Sequence, residues 1–173
     1  MTGRRGVLGF VLAAPLTLAG CSGWTPLYAD RETGPADTEL AAIRVDPILE
    51  RIGQRLELGL RQTLNPTGIQ VAKRYALRTR LTVARQDLGV QTQGYGTRGK
   101  LDVTATFELV DTNSGTSLLS NSIHVADAFD IVANEYSSVV AEDDARARTA
   151  EELRREIVAR LTLFMQRRLA AKA

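Results

Sequence analysis

The spacing of apolar positions divides the chain into segments of different period. Leu49, Ile52, Leu56, Leu60 and Leu64 recur every three or four residues, which places them on one face of a helix. Asp46-Pro47 supplies a favoured N-cap and a Pro suited to the first turn, and Asn65-Pro66-Thr67-Gly68 supplies a stop. Gly59 weakens this helix without breaking it. The centre of the chain changes to period two. Tyr75, Leu77, Thr79, Leu81 and Val83 alternate with Arg74, Ala76, Arg78, Arg80 and Thr82. Leu101, Val103, Ala105, Phe107 and Leu109 alternate with Lys100, Asp102, Thr104, Thr106 and Glu108. Such alternation, rich in Thr and Val, predicts long half-buried strands. Asp111-Thr112-Asn113-Ser114-Gly115 reads as a turn into a third run holding Leu119, Ile123 and Val125, which implies an antiparallel meander. Before the first helix, Leu40 to Val45 reads as a short strand. After the meander, Ala147, Ala150, Leu153, Ile157, Leu161, Phe164 and Met165 form a helical stripe from about Ser138 to Leu169. Acidic residues 142–144 sit near its start, and Arg167 and Arg168 near its end, as the helix dipole favours.

The order is therefore strand, helix, three strands, long helix. A right-handed crossover makes the first two strands parallel neighbours or near-neighbours. One apolar stripe per helix and one apolar face per strand predict an α+β fold. It is a two-layer sandwich, with a four-stranded mixed sheet carrying two helices on one face. The other face, with Arg74, Arg78, Arg80, Thr82, Lys100, Thr104 and Thr106, is left polar and open.

The first thirty residues follow none of these periods. Arg4 and Arg5 precede an uncharged apolar run, Val7 to Leu18, that ends in Leu18-Ala19-Gly20-Cys21. This is the pattern of a secretory signal, too short for a comfortable membrane span. The only Cys of the chain stands directly after the small residues of the cut site, as in the lipobox of bacterial lipoproteins. The expected division is a lipoprotein signal peptide at 1–20, a lipidated tether at 21–38 and a single domain at 39–173. Gly23, Pro26, Gly34 and Pro35 mark the tether, and Trp24, Leu27 and Tyr28 are its candidates for docking on the domain. Once acylated, Cys21 is unavailable as nucleophile, metal ligand or disulfide partner, so stability must come from a core. Cleavage leaves about 150 residues, enough for one domain that buries roughly two thirds of its unfolded surface.

The signal also holds two basic residues and no acidic one, so its removal takes the net charge from +2 to zero. That balance disfavours a general nucleic-acid binder. The distribution is uneven, however. Residues 58–100 hold eight basic side chains against Asp87 alone, and residues 101–145 hold nine acidic ones and no Lys or Arg. The asymmetry points either to an anionic partner on one side or to mutual neutralisation across neighbouring strands. Period two puts Arg74, Arg78 and Arg80 on one outward face, with Lys100 starting the next strand in the same orientation. Guanidinium groups in such a stripe suit compact anions such as phosphates through paired charge-assisted hydrogen bonds. The competing structural role is pairing across the hairpin with Asp102 or Glu108.

Catalytic motifs are sparse. Gly94-Tyr95-Gly96-Thr97-Arg98-Gly99 has the dinucleotide spacing, but an alternating strand follows it where a helix is needed, so it reads as a hairpin loop. His124, the only histidine, lies in a strand and reads as exposed or satisfied. Residues 142–144 read as an acidic helix start. No nucleophile elbow, Walker loop or zinc-protease motif occurs, and no cofactor or metal is expected.

Several segments together resemble a known family. The lipobox is followed by Trp24-Thr25-Pro26-Leu27-Tyr28, then by Asp46-Pro47-Ile48 and by Glu50-Arg51-Ile52-Gly53-Gln54-Arg55-Leu56. Later comes Tyr136-Ser137-Ser138-Val139-Val140-Ala141-Glu142-Asp143-Asp144-Ala145-Arg146, ahead of the last helix. These are similar to the lipopolysaccharide-assembly lipoproteins of the LptE family in their alphaproteobacterial form. The resemblance implies an outer-membrane lipoprotein on the periplasmic face, anchored by acyl chains at Cys21. It implies a one-to-one complex with the β-barrel translocon LptD, which family members plug and help to assemble, and binding of lipopolysaccharide rather than catalysis. Ser22 fits outer-membrane sorting. Gly6-Val7-Leu8 lacks the remainder of a twin-arginine motif after Arg4-Arg5, so general secretion is expected. Candidate lipopolysaccharide contacts are Arg74, Arg78, Arg80 and Lys100, taken from the strand pattern of this chain. Two other readings stay open: a different periplasmic lipoprotein module serving transport or the envelope, and a lipid-anchored hydrolase built on acidic residues.

Overall fold

A computed structural model describes residues 34–90 and 96–171. The expected signal peptide, Cys21 and the expected tether up to residue 33 lie outside the described residues, as do residues 91–95. The elements run α1 (Pro35–Ala41), β1 (Ile43–Val45), α2 (Arg51–Leu64), β2 (Tyr75–Val90), β3 (Gly96–Asp111), β4 (Ser117–Asp130) and α3 (Glu135–Ala170). The sheet is mixed, in the order β1-β2-β3-β4, with β1 parallel to β2 and the remaining pairs antiparallel. The α+β class, the four strands and the helices on one sheet face are as the pattern predicts.

The core lies between that face and the helices. Leu77, Leu101, Val103, Ala105, Phe107, Leu109 and Ile123 come from the sheet, Ile52, Leu56, Leu60 and Leu64 from α2, and Leu153, Ile157, Leu161 and Met165 from α3. Thr33–Ala173 is one compact unit. Arg55 Nη2 pairs with Asp143 Oδ2 at 2.7 Å, and Arg154 reaches the Thr63 hydroxyl, so polar bonds join the helices beside their apolar contact.

Several local expectations are corrected. Leu40 and Ala41 belong to a helix rather than a strand, and β1 is only three residues long. The Lys73 ammonium donates to the Ala41 carbonyl at 2.6 Å, satisfying one of the carbonyls that the end of α1 leaves free. The second helix starts at Arg51, not at Asp46-Pro47. Asp46 is held in the sheet instead: its N–H donates to the Leu77 carbonyl at 3.0 Å and its carboxylate takes Arg44. Leu49 precedes the helix and is 83% exposed, so it is no part of the apolar stripe. In α3 the inward residue is Ala145 rather than Ala147, and the helix starts earlier, where the Asn134 side chain accepts from the Ser137 N–H at 3.3 Å. Its 36 residues extend about 54 Å.

The central strands are longer than their alternation suggests, because β2 runs on to Val90 and β3 starts at Gly96. Gly96 to Gly99 are strand, not loop. A Cβ on Gly99 would lie 2.2 Å from Phe129 Cζ, so the glycine is where the Phe129 ring lies directly on the backbone. The turn from β3 to β4 forms as expected. Asp111 Oδ1 accepts from the N–H groups of Asn113 (2.9 Å) and Ser114 (3.2 Å), and Gly115 takes φ 69°.

Candidate functional site

Because β2 enters the sheet with Tyr75 and Leu77 buried, its even-numbered residues point away from the helices. Arg78 and Arg80 are both exposed on that face, two residues apart, about 6.6 Å along the strand. Opposite them on β3 stand Glu108 and Thr106, and beyond those on β4 stand Ser120 and Ser122. The next row is Thr82, Thr104 and His124. The open face is thus a lawn of hydroxyl groups with a basic corner.

Sequence periodicity missed one member of that corner. Arg44 sits on β1 between buried Ile43 and Val45 and opposite Ala76, which turns it to the same face. Asp46 serves both cations, with Oδ1 3.0 Å from Arg44 Nε and Oδ2 3.7 Å from Arg78 Nε. The apolar-polar-apolar triplet Ile43-Arg44-Val45 was the available signal, but its use requires knowing that β1 lies beside β2 in that register. Arg80 has no carboxylate within ion-pair distance among the described residues. Arg44, Arg78 and Arg80 therefore outnumber the acids that face them, Asp46 and Glu108.

The other two candidates stand elsewhere. Arg74 lies just before β2, paired with Glu39 at 2.9 Å and placed 5.7 Å from the centre of the Tyr75 ring. Arg168 of α3 approaches the same ring at 5.7 Å. The Tyr75 hydroxyl donates to Glu39 at 2.9 Å, and burial, followed by that bond, pushes its pKa up. The antiparallel register puts Lys100 opposite Gln86, six residues along β2 from Arg80 and about 20 Å away. There its ammonium meets Asp102 at 2.9 Å, and the same carboxylate oxygen lies 3.1 Å from His124 Nε2. The Lys100 bond, seconded by His124, holds Asp102 below the ordinary carboxylate range. The four residues thus divide into a central pair, Arg78 and Arg80, and two separate positions at opposite ends of the strands.

The charge asymmetry of the sequence is in part internal. Arg85 Nε meets Glu142 at 3.3 Å and Lys100 meets Asp102, each joining the basic stretch to the acidic one, and Arg55 adds a pair with Asp143. Asp143 is kept below its usual range, chiefly by the Arg55 hydrogen bond. Among the described residues no cluster of His, Cys, Asp and Glu has the makings of a metal site, and no helix is long and apolar enough to cross a membrane.

The described residues thus form a small α+β module, a helix-backed sheet with one polar, partly basic face left uncovered by helices. The lipopolysaccharide-assembly LptE family model matches residues 39–161, most of the chain, and the protein belongs to that family. Among the solved structures similar to this chain, two illustrate the shared fold. One, from Caulobacter crescentus CB15 and put forward as a lipoprotein, has a TM-score of 0.62 at 20% identity and covers 76% of this chain and 96% of its own. The other, a minor lipoprotein from Acinetobacter baumannii, has a TM-score of 0.50 at 18% identity, with 70% and 88% covered. No curated protein matches the sequence. Membership assigns the chain a role in lipopolysaccharide assembly, in a family of transport accessories rather than enzymes.

Proposed function

We propose that this protein is the lipoprotein partner of an outer-membrane LptD barrel, bound one to one, which it plugs and helps to assemble, and that it binds lipopolysaccharide during delivery. Cys21, acylated after removal of residues 1–20, anchors it to the periplasmic face of the outer membrane. The observation that carries this reading is the LptE-family match over residues 39–161, the segment that forms the sandwich. The open face supports it: a hydroxyl-rich surface can be held inside a polar barrel lumen without displaying an apolar patch to water. Lipid A phosphates are compact anions, and Arg78 and Arg80 are the pair best placed to take them with charge-assisted bonds. Lys100, at the far end of the hairpin, and Arg74, at its base, are secondary contacts in this scheme.

The deciding experiment is purification of the protein from mildly solubilised membranes. Recovery of a stoichiometric β-barrel, with loss of surface lipopolysaccharide on depletion, is the expected outcome. A protein that runs alone under those conditions refutes the assignment. Arg78→Gln with Arg80→Gln should weaken lipopolysaccharide binding at low salt. If binding is unchanged while thermal stability falls, the pair serves the fold only. Cys21→Ser should abolish acylation, which labelled palmitate reads directly.

A further inference from the structure

The two edges of the sheet are treated differently. On β4 the even-numbered residues turn their backbone groups outward, and two of those N–H groups are already occupied. Ser122 N–H donates to Asn121 Oδ1 at 2.8 Å, and Ala128 N–H to Asp127 Oδ1 at 2.8 Å. Both side chains are fixed from α3, Asn121 by Arg160 Nη1 at 2.5 Å and Asp127 by Arg148 Nε at 2.8 Å. An edge capped in this way is a poor template for another strand.

On β2 the opposite holds. The Thr112 N–H to Arg74 carbonyl bond and the Asp46 N–H to Leu77 carbonyl bond fix the parity. Even positions of β2 pair with β3, and odd positions face β1. β1 ends after three residues, so Thr79, Leu81 and Val83 turn their N–H and C=O groups to an edge that no described strand covers. The ladder is diverted rather than merely short. Pro47 has no N–H to give. The next donor, Ile48 N–H, is taken by Glu57 Oε2 at 3.0 Å. Glu50 then turns the chain up into α2 with φ 68° and ψ 162°, a region that side chains other than glycine rarely adopt. Between this loop and β2 lies a cleft of about 270 Å3 lined by Pro47, Ile48, Leu49, Glu50, Thr79, Arg80 and Leu81. Inside it, the Thr79 hydroxyl is out of contact with solvent and has no hydrogen-bond partner among the described residues.

We propose that the Thr79–Val83 edge of β2 is an acceptor site for an extended polypeptide segment of a partner, added in line with β1. The repeat of one donor and one acceptor at every second residue, about 6.6 Å apart, is matched by another extended backbone and not by a lipid head group or a small anion. Side chains specify it further. A residue of the incoming strand opposite Leu81 points into the cleft beside Leu49 and Ile48, so it is apolar. Its neighbour, opposite Arg80, points to the outer face, where Arg80 lacks an acidic partner among the described residues, so it is Asp or Glu. The occupant is therefore an extended stretch alternating apolar and acidic residues. This inference does not depend on the barrel assignment.

The test uses the full-length protein in detergent with an end-blocked heptapeptide of alternating valine and glutamate at millimolar concentration, and reads amide hydrogen exchange residue by residue. Exchange at Thr79, Leu81 and Val83 should slow at least tenfold, while Ser122 and Ala128 are unchanged. The same peptide N-methylated at alternate amides should give no protection. Leu81→Pro removes one edge donor without touching the ladder to β3 and should abolish the effect. Absence of slowing in the unaltered protein, equal slowing by the N-methylated peptide, or slowing along β4 instead overturns the proposal.

Discussion

Glu50→Gly should make this protein more stable, an unusual direction for a glycine placed at the start of a helix. Glu50 is exposed, its side chain caps nothing, and its backbone sits at φ 68° and ψ 162°. A side chain held in that region costs about 1–3 kcal/mol, which glycine avoids. Against this stands the greater backbone freedom of glycine in the unfolded chain, about 0.5–1 kcal/mol. At the midpoints of these ranges the net expectation is a stabilisation of about 1 kcal/mol, or a rise in Tm of about 3–6 °C for a domain of this size. Glu50→Ala is the matched control. It removes the same carboxylate and keeps the strain, so it should fall within about 0.5 kcal/mol of the unaltered protein. Urea unfolding of both variants, followed by circular dichroism, separates the two effects, since a backbone effect shifts the midpoint without changing the slope. If glycine and alanine behave alike, the strain at residue 50 is not stored in the folded state and the account of the β1–α2 turn is wrong.

Three further outcomes are expected. Gly99→Ala drives a methyl group into the buried Phe129 ring and should cost about 1–3 kcal/mol, with partial recovery when Phe129→Leu is added; thermal melts of the single and double variants check this. Leu161→Ala empties a fully buried position where α3 meets the sheet and should cost about 2–5 kcal/mol by denaturant unfolding. Asp143 is held below its unfolded value by Arg55, so its contribution is present above about pH 4 and is lost as pH falls through the folded value. Arg55→Gln should accordingly flatten the fall of stability on acidification, which melts at a series of pH values read out.

Period and turn chemistry carry most of the architecture. Alternation over ten residues admits only strands with one buried face, and the stripes at three and four admit only helices lying on them. Leu77, Val103 and Phe107, or Leu56, Leu60 and Leu153, could be assigned to the core because burial follows from periodicity alone. The turn at Asp111–Gly115 was equally legible, since its bonds are local and span five residues or fewer. The glycines before Lys100 misled because a glycine written for a turn and one written for a ring packed on a strand look the same until Phe129, thirty residues on, is seen lying on Gly99. The start of α2 misled for a similar reason: Asp46 is a good cap by composition, but a bond to Leu77 thirty-one residues away holds it in the sheet. Register decided the surface. Alternation assigns Arg78, Arg80 and Lys100 to one face, but only the antiparallel pairing separates Lys100 by half the hairpin and brings Arg44 in from β1. Which backbone groups remain unpaired at the sheet edges is likewise a property of long-range pairing. A residue carries its side-chain chemistry in its name, whereas the partner of its N–H is set by strands brought together from distant parts of the chain.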